Sequence, residues 1–277
     1  MEKSDILPKR IIYNVVLVTV TMLCVFVWPK WAFALWVVFF VGLGLKEFFN
    51  LILKKKVPVY KKTGIILGLL IPLAVFFRFK PTEEWVLAFI LISFILFFVL
   101  QFPRKDNSDA ILGISTTVFG VIYVSWLCTY LIKIIYLPRG CFFVLFLLLV
   151  SKLGDAGAYV VGKKYGRHKL LKRISPKKSI EGALGGFLVS VLIALMSKLY
   201  LPEISLFHLA ALGCMVGLAA QLGDLSESLI KRDCGVKDSG RFIPGQGGVL
   251  DTLDSILFSA PVVYLYVKVI LETPLGG

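Results

Sequence analysis

Stretches of about 20 mostly apolar residues recur along almost the whole chain, and nothing else constrains its fold so strongly. Such a stretch is long enough to cross the hydrocarbon layer of a bilayer as a helix. Inside lipid a helix is the one open-chain structure that satisfies all its own backbone N–H and C=O groups. A water-soluble protein would have to bury these segments, yet hydrophobic residues make up 58% of the 277 and the mean hydropathy is +0.86. No soluble core of this size hides that much apolar surface. The expected fold is all-α, a polytopic integral membrane protein. The first apolar run does not read as a cleaved signal, because further runs follow it and no small-residue cleavage site is evident.

About nine spans are expected, over residues 11–27, 32–51, 64–77, 85–101, 110–135, 141–161, 183–200, 206–230 and 251–271. Several are short or carry Gly and Pro, as half-spans and broken helices do. Alternate loops differ sharply in charge. One side receives Lys3, Lys9 and Arg10, then Lys54, Lys55, Lys56, Lys61 and Lys62, then Arg104 and Lys105. The same side receives the basic stretch 163–178 and the loop with Lys231, Arg232, Lys237 and Arg241. The other side has scattered charges such as Lys30, Arg78, Lys80 and Arg139. The positive-inside rule then puts the N-terminus in the cytoplasm and, for an odd count, the C-terminus outside.

The formal net charge of +14 would suggest nucleic acid in a soluble protein. Here the cations sit in short loops between spans, which points to anionic headgroups or a polyphosphate substrate instead. Five cysteines (Cys24, Cys128, Cys141, Cys214 and Cys234) form neither a CxxC pair nor a disulfide framework, and read as structural.

The two parts of the chain differ in kind. Residues 1–137 are nearly free of ionisable groups within spans, apart from Lys46 and Glu47, and read as a scaffold. In residues 138–277 acids and glycines enter the apolar segments, which marks the working part of one structural unit. Lys152, Asp155 and Tyr159 share a helix face. Ser175-Pro-Lys-Lys-Ser179 with Glu181-Gly182 offers hydroxyls, ammonium groups and backbone donors suited to phosphate. Asp224, Glu227, Ser228 and Lys231 fall at i, i+3, i+4 and i+7 on one face. A set of helix-end ion pairs would leave Asp224 deep in an apolar run without purpose, so a metal ligand is the better reading. Lys237-Asp238-Ser-Gly240 and Pro244-Gly-Gln-Gly247-Gly248 lead into Asp251 and Asp254, three apart at the start of the last span. Carboxylates beside a phosphate-binding turn call for Mg²⁺, a hard cation that takes oxygen ligands.

This last run, from Ser228-Leu-Ile-Lys-Arg232 to Asp251-x-x-Asp254, resembles the signature of the phosphatidate cytidylyltransferases, also called CDP-diacylglycerol synthases. The likeness covers about 27 positions at fixed offsets, and Asp155, the Ser175–Gly182 segment and Gly223-Asp224 with Glu227-Ser228 fit it too. The resemblance implies that CTP and phosphatidate give CDP-diacylglycerol and pyrophosphate, with Mg²⁺, in phospholipid biosynthesis. It implies a homodimer, a cytoplasm-facing polar cavity and a two-metal centre whose second cation, K⁺ or Mg²⁺, is open; a bacterial inner membrane is the expectation from the compact length. Carried across by motif, Asp224, Asp251, Lys231 and Asp254 form the catalytic set. Asp224 and Asp251 would bind metal, with Glu227 beside them. Lys178, Ser179, Arg232, Lys237, Asp238, Asp155, Gly247 and Gly248 would hold substrate. The chain has Gln246 where the family usually has His, and Thr252 where it usually has Arg; both bear on rate or exact substrate more than on reaction class. The alternatives are a CTP-dependent enzyme acting on another lipid (an isoprenoid ether phosphate or a polyprenol), a cation transporter, or a catalytically silent homologue.

Overall fold

The computed structural model describes residue 13 and residues 15–77, 83–103, 108–240, 242 and 247–271. Among these residues there are nine helices: α1 (Val15–Val27), α2 (Lys30–Lys54), α3 (Lys61–Phe76), α4 (Glu83–Gln101), α5 (Ala110–Ile135), α6 (Gly140–Tyr165), α7 (Ile180–Leu199), α8 (Leu206–Asp233) and α9 (Leu250–Leu271). Each coincides with one of the expected apolar segments. Six of them, α2 and α5 to α9, are long and apolar enough to cross a membrane. The cations Lys3, Lys9, Arg10, Arg78, Lys80, Arg104, Lys105 and Arg241 lie outside the described residues.

One hairpin interrupts the helices. Strands β1 (Lys169–Leu171) and β2 (Ser175–Ser179) pair antiparallel, with Lys169 opposite Ser179 and Leu171 opposite Ser175. Pro176 favours extended backbone at Ser175 and cannot enter a helix interior, so this segment resists joining α7. An all-helical expectation therefore holds except here.

The described residues divide into two compact units, one within Met1–Ile132 and Asp238–Leu250, the other within Lys133–Lys237 and Asp251–Gly277. In the first, α3 contains Pro72, which has no N–H to give the Gly68 carbonyl four residues earlier. The Ser125 hydroxyl of α5 donates to that same carbonyl. A backbone group orphaned by proline is costly in an apolar interior, and a serine from the neighbouring helix supplies the missing bond.

In the second unit, α7 shows how packing works without water. Its buried face carries Gly182, Gly186, Ser190 and Ala194, while Leu184, Leu188, Leu192 and Met196 are exposed. Large side chains point outward and small ones inward, the reverse of a soluble helix and the order expected in lipid. The small face lets α6 approach closely: Ser190 Oγ donates to the Val150 carbonyl at 3.2 Å. On the other flank Gln221 of α8 donates to the Ala183 carbonyl at 2.9 Å. A Cβ at Gly186 would stand 2.7 Å from the Ala158 Cβ and 2.8 Å from the Gly154 carbonyl oxygen. Gly186→Val is accordingly expected to cost about 1–3 kcal/mol and lower the melting temperature by roughly 5–10 °C in detergent, measured by thermal unfolding. An unchanged melting temperature would mean that α6 and α7 are not in close contact.

The alternation of helices puts the C-terminal end of α6, the hairpin, the N-terminal end of α7 and the C-terminal end of α8 at one end of this trio. Most charged residues of the second unit gather at that end, while Arg139, Lys198 and Glu203 lie at the other.

Candidate active site

At the start of α7, the Ser179 hydroxyl accepts the Gly182 N–H at 3.1 Å, capping the helix. Glu181 accepts from the backbone N–H groups of Arg167 (3.1 Å) and His168 (3.2 Å), and its Oε1 lies 2.6 Å from His168 Nδ1. These bonds close the base of the hairpin. Ser179 is buried, so its hydroxyl is spent on the helix end, while Lys178 beside it is half-buried and reaches the Asp224 carboxylate of α8.

From there the charges form a connected row. Ser228 Oγ lies 3.5 Å from Asp224 Oδ1 one turn away. Three residues along α8 from Asp224, Glu227 is 2% exposed, and its carboxylate meets the Lys231 ammonium. Lys231 also contacts Asp251 in the first turn of α9. Asp254, one turn on, accepts the Ser255 N–H at 2.6 Å and lies 3.7 Å from Lys152 Nζ of α6. Lys152 donates to the Thr252 carbonyl at 2.8 Å and to Ser255 Oγ at 2.9 Å, and stands 4.0 Å from Asp155. The second unit thus brings together Asp155, Lys178, Ser179, Asp224, Glu227, Lys231, Asp251 and Asp254 from four separate elements.

Exposure grades along the row. The side chains of Lys231 and Asp251 are 12% and 10% exposed, against 26% for Asp224 and 34% for Asp155. The open members face a cavity of about 530 Å³ lined by Asp155, Tyr159, Lys177, Lys178, Gln221 and Asp224 together with apolar groups such as Leu170 and Leu225. A volume of this order suits a nucleotide or a lipid headgroup.

Other expected site residues have surroundings of their own. Arg232 donates to the Ile174 carbonyl at 3.2 Å and to the Val236 carbonyl at 3.1 Å, so it ties the hairpin tip to the end of α8. Lys237 is exposed. Asp238, Gly247 and Gly248 belong to the segment that groups with the first unit, where Gly247 has φ of +121°, a conformation that side chains rarely adopt. Gln246 lies outside the described residues, as do Pro244 and Gly245. All five cysteines are free, in keeping with structural roles.

The pattern of the Cytidylyltransferase family matches residues 8–270, nearly the whole chain. The chain belongs to the cytidylyltransferase family. Among its relatives is a phosphatidate cytidylyltransferase of Synechocystis sp., 34% identical over 270 residues, which cover 87% of this chain and 90% of the relative. A phosphatidate cytidylyltransferase of Staphylococcus epidermidis is 33% identical over 236 residues, covering 80% of this chain and 84% of the relative. An uncharacterized Escherichia coli protein, YnbB, is 31% identical over 247 residues, covering 87% and 80%.

As an enzyme of this family, the chain raises the question of a metal ion. Among the described residues no three His, Cys, Asp or Glu side chains converge closely enough to enclose one. Mg²⁺ seldom needs such a cage; it is held by one or two carboxylates and completes its shell with water and substrate phosphates. Five carboxyl groups here face three lysines (Lys152, Lys178 and Lys231), so acids outnumber cations and the donors in excess are hard oxygens. The donor set fits Mg²⁺ brought in with a polyphosphate.

Sequence reasoning gave no role to Gln221, which lines the cavity, or to Lys152 as the tie between α6 and α9. The spacing of Lys152 to Asp155 signalled a shared helix face. Nothing in the local pattern pointed to its partners a hundred residues away.

Proposed function

We propose that this cytidylyltransferase transfers the cytidylyl group of CTP to phosphatidate, giving CDP-diacylglycerol and pyrophosphate, in phospholipid synthesis at the cytoplasmic face of a bacterial inner membrane. The observation that carries the reading is the row of five carboxylates interleaved with three lysines, opening on a cavity with Lys177 and Lys178 in its wall. The names of the relatives from Synechocystis and Staphylococcus supply the substrate. The side follows from the basic residues at the end of the α6–α8 trio where the acids gather.

In the reaction a phosphate oxygen of phosphatidate forms a bond to the α-phosphorus of CTP. The bond from that phosphorus to the bridging oxygen breaks, and its electron pair leaves with pyrophosphate. The attacking phosphate is already ionised at neutral pH, so no general base is required. The work is positioning and charge compensation. Lys177 and Lys178 take up triphosphate oxygens, with Lys178 exchanging Asp224 for phosphate. Asp224 and Asp251 are the residues that would hold Mg²⁺, which would offset the charge on the phosphate oxygens. Glu227, buried against Lys231, keeps that ammonium directed toward Asp251 and the leaving group. Asp254 and Lys152 fix the first turns of α9 against α6. The apolar wall of the cavity accommodates the glycerol end of the lipid, whose tails stay in the bilayer.

The test is incorporation of label from α-³²P-CTP into lipid by purified protein with phosphatidate and Mg²⁺. The expected result is labelled CDP-diacylglycerol with an equal amount of pyrophosphate, and none when Mg²⁺ is chelated. Labelling of an isoprenoid ether phosphate or a polyprenol, with none of phosphatidate, would overturn the substrate assignment.

A further inference from the structure

Glu47 is the acid that the reading above leaves without a task. It lies on α2 beside Lys46 in an otherwise apolar run, half-buried, about two turns before the helix ends at Lys54. Its partners are far away in sequence and all belong to the segment Asp238–Leu250, which groups with the same unit. Ser239 Oγ donates to Glu47 Oε2 at 3.1 Å, and the backbone N–H of Leu250 donates to the same oxygen at 3.0 Å.

Both ends of the glycine-rich segment therefore meet on one carboxylate. The two glycines beside these contacts mark how closely. A Cβ added to Gly240 would strike the Glu47 carboxylate, and one added to Gly248 would strike the Glu47 carboxylate and Ser239 Oγ and stand 2.6 Å from the Gly240 nitrogen. Only glycine lets the backbone close around the acid at these two positions.

Leu250 is the first residue of α9, so its N–H is one of the helix's unpaired donors. A carboxylate accepting it satisfies that donor and places negative charge at the positive end of the helix dipole. Ser179 and Ser205 supply an acceptor, without the charge, for α7 and α8 from the residue just before the helix. For α9 the acceptor comes from α2. The next residue is Asp251, and Asp254 follows one turn on.

We propose that Glu47 is a positioning residue of the cytidylyl transfer: it clasps both ends of the segment Asp238–Leu250 and so sets the start of the helix that presents Asp251 and Asp254. The inference rests on the reading that these two acids serve the reaction. Glu47 touches neither substrate in this scheme; it acts through the backbone it holds.

Glu47→Ala removes the acceptor, Glu47→Gln keeps an oxygen that can accept both bonds, and the comparison separates geometry from mere presence of a side chain. Hydrogen exchange reads the clasp without reference to activity. In Glu47→Ala, peptides covering Ser239–Gly240 and Leu250 are expected to exchange at least ~10-fold faster while those from α6 to α8 do not change. Cytidylyl transfer by the same protein should fall about 100-fold in kcat with a much smaller change in KM for CTP, and Glu47→Gln should recover most of it. Unchanged exchange in Glu47→Ala would overturn the clasp. Faster exchange with full activity would overturn the positioning role. If the wild-type chain itself transferred no cytidylyl group, the exchange result would still decide the clasp, and the fault would lie with the proposed reaction.

Discussion

Asp251→Asn should give a folded protein that transfers cytidylyl groups at least ~10³-fold more slowly than wild type, and Asp224→Asn should do the same. Asn keeps the shape and one carbonyl acceptor of each acid and removes the charge. The fold survives because no lysine is abandoned: Lys231 keeps Glu227 when Asp251 is neutralised. Lys178, at 30% exposure, turns to water when Asp224 is neutralised. What is lost is the anionic oxygen that the proposed reaction turns toward Mg²⁺ and phosphate. The measurement is kcat/KM with labelled CTP, alongside thermal unfolding to certify the fold. Near-normal turnover in both variants would remove these two acids from the proposed centre.

Gly223→Ala should be nearly as damaging, although one methyl group is added and no charge changes. Gly223 precedes Asp224 on α8, and a Cβ there would run into the Asp254 carbonyl oxygen on α9 and stand 3.5 Å from the Ser255 Cα. A backbone oxygen inside a helix has no rotamer by which to give way, so the two helices must part. Parting them separates Asp224, Glu227 and Lys231 from Asp251 and Asp254. Stability should fall by about 1–3 kcal/mol, and kcat by about 100-fold, as expected for displacing catalytic groups by about 1 Å. Gly235→Ala is the control. That glycine has φ of +68° with open space around it, so alanine there costs roughly 1–2 kcal/mol of backbone strain and moves no helix. Equal loss of activity in the two variants would contradict the account of α8 against α9.

Much of the site was legible from spacing. Asp224, Glu227 and Lys231, at i, i+3 and i+7, share a face by helix geometry alone, and the structure keeps Lys231 on Glu227. Asp251 and Asp254 likewise follow from their separation of three. The hairpin was not legible, because strands as short as Lys-Leu-Leu and Ser-Pro-Lys-Lys-Ser carry no apolar alternation to signal them. Arg232 read as a phosphate ligand because a cation in a motif invites that reading; its two bonds to carbonyls, which tie hairpin to helix, had no signal in the local pattern. Glu47 stood out only as an acid in an apolar run.

By itself the sequence determined the helices, since the length of an apolar run and the breaks of Gly, Pro and charge between runs are local properties read within one window. It also determined which polar residues share a face, because the helical period is fixed by the backbone. Only the tertiary structure decided the pairings between elements: Lys178 with Asp224, Lys231 with Asp251, Lys152 with Asp254, and Glu47 with the first N–H of α9. Those partners meet because glycines such as Gly186 and Gly223 let particular helices approach to backbone contact, and which helix lies against which depends on side-chain shape summed over many residues far apart in the chain.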